Sequence, residues 1–464
     1  MSTMGLRDFR PKLHFTPEEM WLNDPNGLVY ENGRYHLFYQ YHPASTVWGP
    51  MHWGHAISTD LVKWEHLPVA LYPDTLGTIY SGSAVYDKNN TSGFGALGKA
   101  PIVTIFTHHQ SAHDLKSQNQ SIAYSLDGIN YVKYDGNPVI PNPGIRDFRD
   151  PKVFWNQIKN CWSLVLAAGD CVLFYSSPDL KKWGKTGEFR VEGNHSNGVW
   201  ECPDLFPLET EAGEKWVLIV SMGMPIENGG ARTQYFIGDF DGDKFICDYH
   251  FDKPVWLDEG FDNYAGVTYD NAKDRILIGW GINWRYADVS PTGEFCGLMT
   301  LARKLSLIDT PNSGLRLACL PVGVGDYIEQ VIPISNGNVI PDEVFGLSIV
   351  GSGACEITLT NAVGQCLRFG VTNDNELFVD RSNAGDNSFS QTFSSELYSK
   401  KAVKRHFNGT YSLDAIFDVS DLELFIDSGT ISMSLVVYPD TAYNRIYISG
   451  DVCVRYLKIK QMLL

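Results

Sequence analysis

Alternation of apolar and polar residues recurs along the whole chain, and this is the pattern of β-strands with one buried face. It is clear in residues 34–41, 414–419 and 431–438, so each of these segments is predicted to be a strand. Helical periodicity is scarce, and only 394–407 is predicted to form a helix. The pattern therefore indicates an all-β protein.

A short motif recurs through the first half of the chain. Each copy places an Asp in a polar turn that is followed by an aromatic residue, and the aligned residues are Asp60, Asp127, Asp179 and Asp241. Blades of a β-propeller repeat every ~40–50 residues, and long loops extend that period. About 310 residues at this spacing make five blades. The alternative is that Ser-x-Asp turns recur by chance in a β protein.

The pattern changes after Arg303, where the turn-rich segment 308–314 follows. We predict a five-bladed β-propeller over residues 1–312, a linker over 313–325 and a C-terminal β-sandwich over 326–464. The sandwich segment carries few clustered acids, bases or nucleophiles. The chemistry is therefore expected in the propeller.

Composition and charge narrow the classes of partner. The 464 residues include 54 acidic and 37 basic ones, for a net charge of −17, which disfavours nucleic acid and anionic membrane surfaces. No apolar run approaches the roughly 20 residues that span a bilayer. The first residues lack the apolar stretch of a signal peptide, so we expect a cytoplasmic location, or secretion if a leader has been removed. The oligomeric state is not readable.

The cysteines and histidines of this sequence do not have the spacing of metal ligands. The 9 cysteines contain no C-x-x-C pair and are predicted to be free, buried thiols. His108, His109 and His113 follow an apolar run and are predicted to lie in a loop. We expect neither a metal nor a cofactor.

Three acidic residues stand in unusual surroundings. Asp24 lies in the sequence WLNDPNGL, which predicts a tight turn but also sets a carboxylate and an amide beside Trp21, as sugar sites do. Asp150 follows Arg149, which forms a surface ion pair or holds a buried carboxylate ionised. Glu201, in WECPDLF, is either an edge-strand residue or a buried general acid. We also hypothesise that the thiol of Cys202 tunes Glu201.

Cleavage of an acetal needs two carboxyl groups at the scissile bond. One is protonated and assists the leaving oxygen, and the other is ionised and attacks the anomeric carbon or activates water. Asp24 and Glu201 suit these parts. They are far apart in sequence, but the inner strands of a propeller converge on one axial pocket.

These three motifs together resemble glycoside hydrolase family 32, the β-fructosidases. The segments 36–43, 48–55, 80–85 and 417–425 are similar to family segments as well, so the resemblance covers about residues 8–460. It implies a propeller followed by a sandwich, and a retaining mechanism. By position it assigns Asp24 as nucleophile, Glu201 as acid/base, and Asp150, with Arg149 beside it, as the residue that stabilises the transition state.

The resemblance also implies residues that bind the sugar. These are Asn23, Gln40, Trp48, Ser81, Tyr264 and Trp280, and Trp21 is expected to face the sugar too. The family's Arg near the pocket rim is replaced in Phe295-Cys296-Gly297, which leaves the leaving-group specificity open.

The expected activity is release of terminal fructose from sucrose, fructo-oligosaccharides or fructans. A fructosyltransferase with the same residues is one alternative, and equal release of glucose and fructose at high sucrose would exclude it. A non-catalytic fructan-binding protein is the other, and it would not require an acid/base residue at Glu201.

Overall fold

The computed structural model describes residues 7–110, 114, 117–193, 198–223, 230–248 and 253–460. The chain forms two compact units. The propeller unit comprises Pro17–Leu257 and Tyr264–Trp280, and the sandwich unit comprises Met1–Thr16, Asp258–Asn263 and Gly281–Leu464. Where the helices are described, none has the length and apolar character needed to cross a bilayer.

The propeller unit contains four four-stranded antiparallel sheets, each a blade with its strands in chain order. The first blade contains β1 (Met20–Glu31), β2 (Arg34–His42), β3 (His52–Ser58) and β4 (Glu65–Leu71). The second contains β5 (Thr78–Tyr86), β6 (Ile102–His109), β7 (Gln118–Ser125) and β8 (Val132–Lys133). The third contains β9 (Phe148–Asn156), β10 (Cys161–Ala168), β11 (Cys171–Ser177) and β12 (Gly184–Arg190). The fourth contains β13 (Val199–Thr210), β14 (Gly213–Gly223), β15 (Arg232–Phe240) and β16 (Phe245–Cys247). The antiparallel pair β17 (Tyr264–Thr268) and β18 (Ile276–Trp280) begins the fifth blade.

The repeated Asp motif connects the third and fourth strands of each of the first four blades. Asp60 Oδ1 accepts hydrogen bonds from the backbone N–H groups of Val62 and Lys63, at 2.9 and 2.8 Å. Because the carboxylate accepts hydrogen bonds from these N–H groups, the turn is stabilised without pairing to another strand. The same turn is built by Asp127, Asp179 and Asp241.

The central strands of the blades are buried on both faces, which makes their sequences nearly continuous apolar runs. In β10, Leu164 and Leu166 belong to a cluster shared with the second blade, together with Ile105. The intervening Val165 points the other way, into a cluster that contains Leu218 of the fourth blade. The third blade is thus held by packing against both of its neighbours.

The sandwich unit begins with a two-residue strand, β19 (Phe295–Cys296), and an antiparallel pair, β20 (Arg303–Thr310) and β21 (Gly314–Pro321). Two sheets follow. One has the order β22, β32, β23, β28, β29, β30 and the other β27, β26, β25, β24, β31. Their bounds are β22 (Ile328–Pro333), β23 (Val344–Gly351), β24 (Cys355–Thr360), β25 (Cys366–Val371), β26 (Glu376–Asn383), β27 (Lys400–Lys404), β28 (Tyr411–Asp418), β29 (Asp421–Ile426), β30 (Ile431–Val436), β31 (Arg445–Ser449) and β32 (Val452–Ile459). The inward residues of both sheets form one apolar core. Short 3₁₀-helices occupy Ala287–Val289 and Val324–Tyr327.

The helix predicted over 394–407 is wrong. Two four-residue helices, α1 (Gln391–Ser394) and α2 (Glu396–Ser399), are followed at once by β27. The backbone of β27 pairs with β26, with Leu377 opposite Val403. Pairing in the sheet therefore outweighs a weak local helical preference. The strands predicted in the other three segments are confirmed as β2, β28 and β30.

The prediction for the cysteines is confirmed for their free thiols, but only in part for their burial. Every one of them is a free thiol, and five are buried: Cys171, Cys202, Cys296, Cys319 and Cys355.

Candidate active site

A β-bulge interrupts the innermost strand of every blade near its N-terminal end. The breaks in register fall between Leu22 and Pro25 in β1, Ile79 and Gly82 in β5, Arg149 and Lys152 in β9, Glu201 and Asp204 in β13, and Tyr264 and Val267 in β17. A bulge redirects side chains locally and is frequent beside active sites.

Three bulged residues carry backbone strain. Asp150, Cys202 and Ala265 have φ angles of 65°, 45° and 53°. A non-glycine residue in this region costs about 1–3 kcal/mol, and such residues cluster at functional sites. The strain therefore marks the same point in three neighbouring strands.

Hydrogen bonds link these inner strands around the axis. They join Gly82 N to Asn26 Oδ1 (2.8 Å), Val153 N to Ser83 Oγ (3.0 Å), Cys202 N to Asp150 Oδ2 (3.0 Å) and Thr268 N to Asp204 Oδ2 (2.7 Å). The convergence expected of a propeller is thus present, and it brings Asp24, Asp150 and Glu201 together.

The Asp24 carboxylate is held at both oxygens. Ser81 Oγ donates to Oδ2 at 2.6 Å, and Asn23 Nδ2 donates to Oδ1 at 3.0 Å. The orientation of the Asn23 amide is fixed in turn, because the indole N–H of Trp21 donates to its Oδ1 at 2.7 Å. Burial raises the pKa of Asp24, and the bonds from Ser81 and Asn23 oppose that shift.

One expectation about Asp24 needs correction. Residues 21–28 lie within the bulged strand β1 and do not form a tight turn. The carboxylate is stabilised by the side chains of Ser81 and Asn23, two residues that were predicted to bind the sugar. The reason is the bulge, which redirects the chain at this point.

Asp150 and Asp24 meet at the thiol of Cys202. Its Sγ lies 3.5 Å from Asp24 Oδ2 and 3.6 Å from Asp150 Oδ2. Burial raises the pKa of Asp150 to about 7; Arg149 lowers it, and the charges of Glu201 and Asp24 raise it further. The thiol pKa is also raised, by burial and by the carboxylates, so the thiol is a donor. We expected it to act on Glu201, but its hydrogen bonds are to the other two carboxylates.

Glu201 is bound by two residues from other blades. Arg149 donates from Nε at 3.2 Å and Nη2 at 2.9 Å to Oε1, and the Tyr264 hydroxyl donates to Oε2. Asp147 accepts from Arg149 Nη1 at 2.7 Å and fixes the guanidinium. Arg149 therefore does hold carboxylates, but those it bonds are Glu201 and Asp147 and not its neighbour Asp150.

The remaining predicted sugar-binding residues differ in exposure. Gln40 is 2% exposed, and its Nε2 has no hydrogen-bond partner within the described ranges. Trp48 is 44% exposed and meets the Tyr80 ring edge-on at 6.2 Å. Trp280 is fully buried against Trp21, with the ring centroids 5.9 Å apart. The indoles of Trp21 and Trp280 are buried and pack against each other beside the site. Their contact with a sugar stays a prediction.

Some residues of the site were not anticipated. Besides Asp147, they include Thr107, whose Oγ1 accepts from Asp150 N at 3.0 Å, and Tyr80. Tyr80 stacks on His109 at 4.4 Å, and its pKa is raised to about 12 by burial. Tyr80 could have been predicted from the sequence, because it directly precedes the predicted site residue Ser81. The other two are visible only once the strands are assembled.

The histidines were placed wrongly. His108 and His109 end the strand β6 and do not lie in a loop, because their backbones pair with Asn119 and Gln118 of β7. His113 lies outside the described residues.

One group of side chains in the described ranges has the spacing of metal ligands, and it belongs to the sandwich unit. His14, Asp421 and Glu423 bring ligand atoms within 4.8 Å of one another. His14 also lies 2.8 Å from Asp418 through Nδ1, and its pKa is raised well above the usual value because the surrounding carboxylates outweigh its burial. A protonated His14 buried among carboxylates explains the close spacing of this cluster.

Carboxyl groups brought together on the axis of a five-bladed propeller, with Arg149 and Tyr264 orienting one of them, define a glycosidase active site. The sequence models of the Glycosyl hydrolases family 32 N-terminal domain and C terminal match residues 14–318 and 343–456. The chain therefore belongs to glycosyl hydrolase family 32.

Individual relatives agree with this assignment. A levanase from Bacillus subtilis (strain 168) is 42% identical over 97% of this chain and 70% of its own length. An extracellular exo-inulinase from Aspergillus ficuum is 36% identical over 95% of this chain and 92% of its own. The crystal structure of exo-inulinase from Aspergillus awamori superposes with a TM-score of 0.88 at 32% identity, covering 98% of this chain and 99% of that one. The protein is a five-bladed propeller followed by a β-sandwich.

Proposed function

We propose that this protein is a retaining exo-β-fructofuranosidase that releases terminal fructose from sucrose, fructo-oligosaccharides or fructans. The observation that carries the proposal is the meeting of three carboxylates: Cys202 Sγ touches those of Asp24 and Asp150, and Glu201 precedes Cys202 in β13. Similarity to a levanase and to an exo-inulinase supports hydrolysis of fructans.

In the first step Asp24 attacks the anomeric carbon of the terminal fructosyl unit. A C–O bond forms to the carboxylate as the bond to the leaving oxygen breaks, which gives a fructosyl-enzyme ester. Two side-chain donors hold the Asp24 carboxylate, so it reaches the substrate in one orientation.

Glu201 transfers the proton in both steps. As the acid it protonates the leaving oxygen, and as the base it then removes a proton from the water that hydrolyses the ester. Arg149 and Tyr264 each bind one of its carboxyl oxygens, which keeps the group directed at the same point in both steps.

Asp150 acts on the transition state. The fructosyl ring becomes oxocarbenium-like, and a nearby carboxylate favours its positive charge. Its other task in this proposal is to accept hydrogen bonds from the sugar hydroxyls. Gln40 supplies a further group for the sugar, because its buried Nε2 is unpartnered among the described residues.

The proposal is tested with Glu201→Ala and azide. We expect the variant to lose most activity on sucrose, to retain more on a substrate with an activated leaving group, and to form fructosyl azide of retained configuration. Glu209→Ala is the matched control, since Glu209 is an exposed residue of the same strand. Absence of the azide product would contradict the assignment of Glu201.

A panel of substrates then tests the range. Values of kcat/KM for sucrose, sucrose 6-phosphate, 1-kestose, inulin and levan rank the donors directly. A wild-type enzyme that releases no fructose from any of them would overturn the proposed function.

A further inference from the structure

We propose that Tyr72 and His52, at the outer edge of the first blade, form a subsite that binds a fructan chain beyond the leaving sugar. The inference rests on the proposed function and names a substrate class for it, a polymer rather than a disaccharide.

A row of paired residues crosses this blade at the level of the site. Trp21 of β1 lies opposite His42 of β2, Tyr41 opposite His52 of β3, and Trp53 opposite Leu71 of β4. Asp24 lies in the bulge just after Trp21, and Tyr72 follows Leu71. Both therefore lie at the same end of the sheet, one at its inner and one at its outer strand.

The distance between them suits a polymer. Three strand spacings separate β1 from β4, which is about 14 Å. A chain whose terminal unit occupies the catalytic pocket extends that far, whereas the leaving glucose of sucrose does not.

The first part of the route is lined by aromatic rings. Trp48 is exposed beside Tyr80, and Tyr80 stacks on His109. Tyr80 lies in the bulge of β5 directly before Ser81, whose hydroxyl binds Asp24, and this places it at the pocket. The proposed subsite continues this surface outward from the carboxylates.

The Tyr72 ring is exposed, with a contact to one other ring and with its backbone held by Lys133. It is 57% exposed and meets the His52 ring edge-on, with the centroids 5.5 Å apart at 82°. Lys133 binds the carbonyl oxygen of Tyr72 and a carboxylate oxygen of Asp74, and the other Asp74 oxygen accepts from Leu76 N at 2.7 Å. A ring fixed before binding loses little conformational entropy when a ligand stacks on it.

The chemistry of the patch matches a sugar chain. The flat face of Tyr72 suits the apolar side of a fructosyl unit, and the Asp74–Lys133 ion pair beside it offers an acceptor and a donor for hydroxyl groups. The pairing of the two charges also makes the patch unsuited to a strongly charged ligand.

The test compares a polymer with sucrose. For Tyr72→Ala we expect the ratio of kcat/KM on levan to kcat/KM on sucrose to fall about three- to tenfold, in line with the loss of one aromatic contact. Inulin is measured in parallel to show whether the subsite distinguishes the linkage. Tyr447→Ala is the matched control, because Tyr447 is 45% exposed in β31 of the sandwich unit, and its ratio should not change.

A ratio unchanged in Tyr72→Ala, or a wild type that cleaves sucrose but no polymer, would overturn the subsite. A measurement of levan binding in an inactive variant distinguishes failure of the subsite from failure of the proposed function. In Glu201→Gln, adding Tyr72→Ala should weaken the affinity for levan by a similar factor, whether or not the wild type turns over. An unchanged levan affinity in the double variant also refutes the subsite.

Discussion

Ser81 Oγ donates a hydrogen bond of 2.6 Å to Asp24 Oδ2, and this bond joins the innermost strands of the first two blades at the nucleophile. A hydrogen bond to a carboxylate stabilises its charged form. Ser81 therefore counters the effect of burial on Asp24.

Replacing Ser81 by Ala should make the enzyme less active in acid. Without this bond the pKa of Asp24 rises further, so the nucleophile becomes ionised only at higher pH. The acidic limb of the kcat/KM profile then moves to higher pH, and activity on that limb falls about tenfold. Among the described residues, the Ser83 hydroxyl bonds only backbone groups of Pro151 and Val153, so Ser83→Ala should leave the limb where it is.

Cys202→Ala should move the same limb by less. The thiol is a weak donor whose contact with Asp24 lowers the pKa of that residue. Ala at position 202 must adopt the same strained backbone conformation as Cys, so the variant measures the effect of removing the sulfur alone. The measurement is the pH dependence of kcat/KM. A shift of the alkaline limb alone would contradict this prediction and would indicate that the thiol acts on Glu201.

Gly223→Ala should reduce kcat without unfolding the protein. A Cβ at this position would lie 2.9 Å from Glu201 Oε2 and 3.5 Å from the Tyr264 hydroxyl, so the acid/base carboxyl must shift. Misplacement by about 1 Å costs on the order of 100-fold in rate. Gly184→Ala, where a Cβ meets nothing within 4 Å, is the control. Full activity in Gly223→Ala would show that Glu201 tolerates displacement.

Asp150→Asn should stabilise the fold above neutral pH while lowering kcat about 100- to 1000-fold. The pKa of Asp150 is raised to about 7 in the folded protein, from 3.8. The folded state therefore binds more protons between about pH 4 and 7, and stability falls as pH rises through that range. An Asn carries no charge, so this loss, on the order of 4 kcal/mol, disappears.

Urea unfolding at pH 4, 6 and 8 checks the stability of Asp150→Asn. The difference from wild type should grow with pH, and the exposed Asp309→Asn should show no such trend. A variant that is less stable than wild type at pH 8 would refute the argument from burial.

The sequence predicted the strands and turns well, because both depend on local patterns. Alternation located β2, β28 and β30, and Asp60 and its three counterparts build the turns that their spacing indicated. Segment 394–407 failed because its partner strand, β26, decides its conformation.

The site was predicted through motifs, and its internal bonding was not. Asp24, Asp150 and Glu201 are recognisable by their neighbours in sequence. The bond from Arg149 to Glu201 joins residues 52 positions apart, and it depends on bulges whose position no local pattern reveals. For the same reason Asp147 and Thr107 were missed.

The bulges in β1, β5, β9, β13 and β17 tie the appearance of the active site to the end of folding. Asp24 and Tyr264 lie 240 residues apart in the sequence, yet the pocket needs both strands in register. Contacts of such long sequence separation form late and slowly. Catalytic activity is therefore a reporter of the closed propeller: after dilution from denaturant it should recover no earlier than the slowest blade docks, whatever secondary structure has formed before.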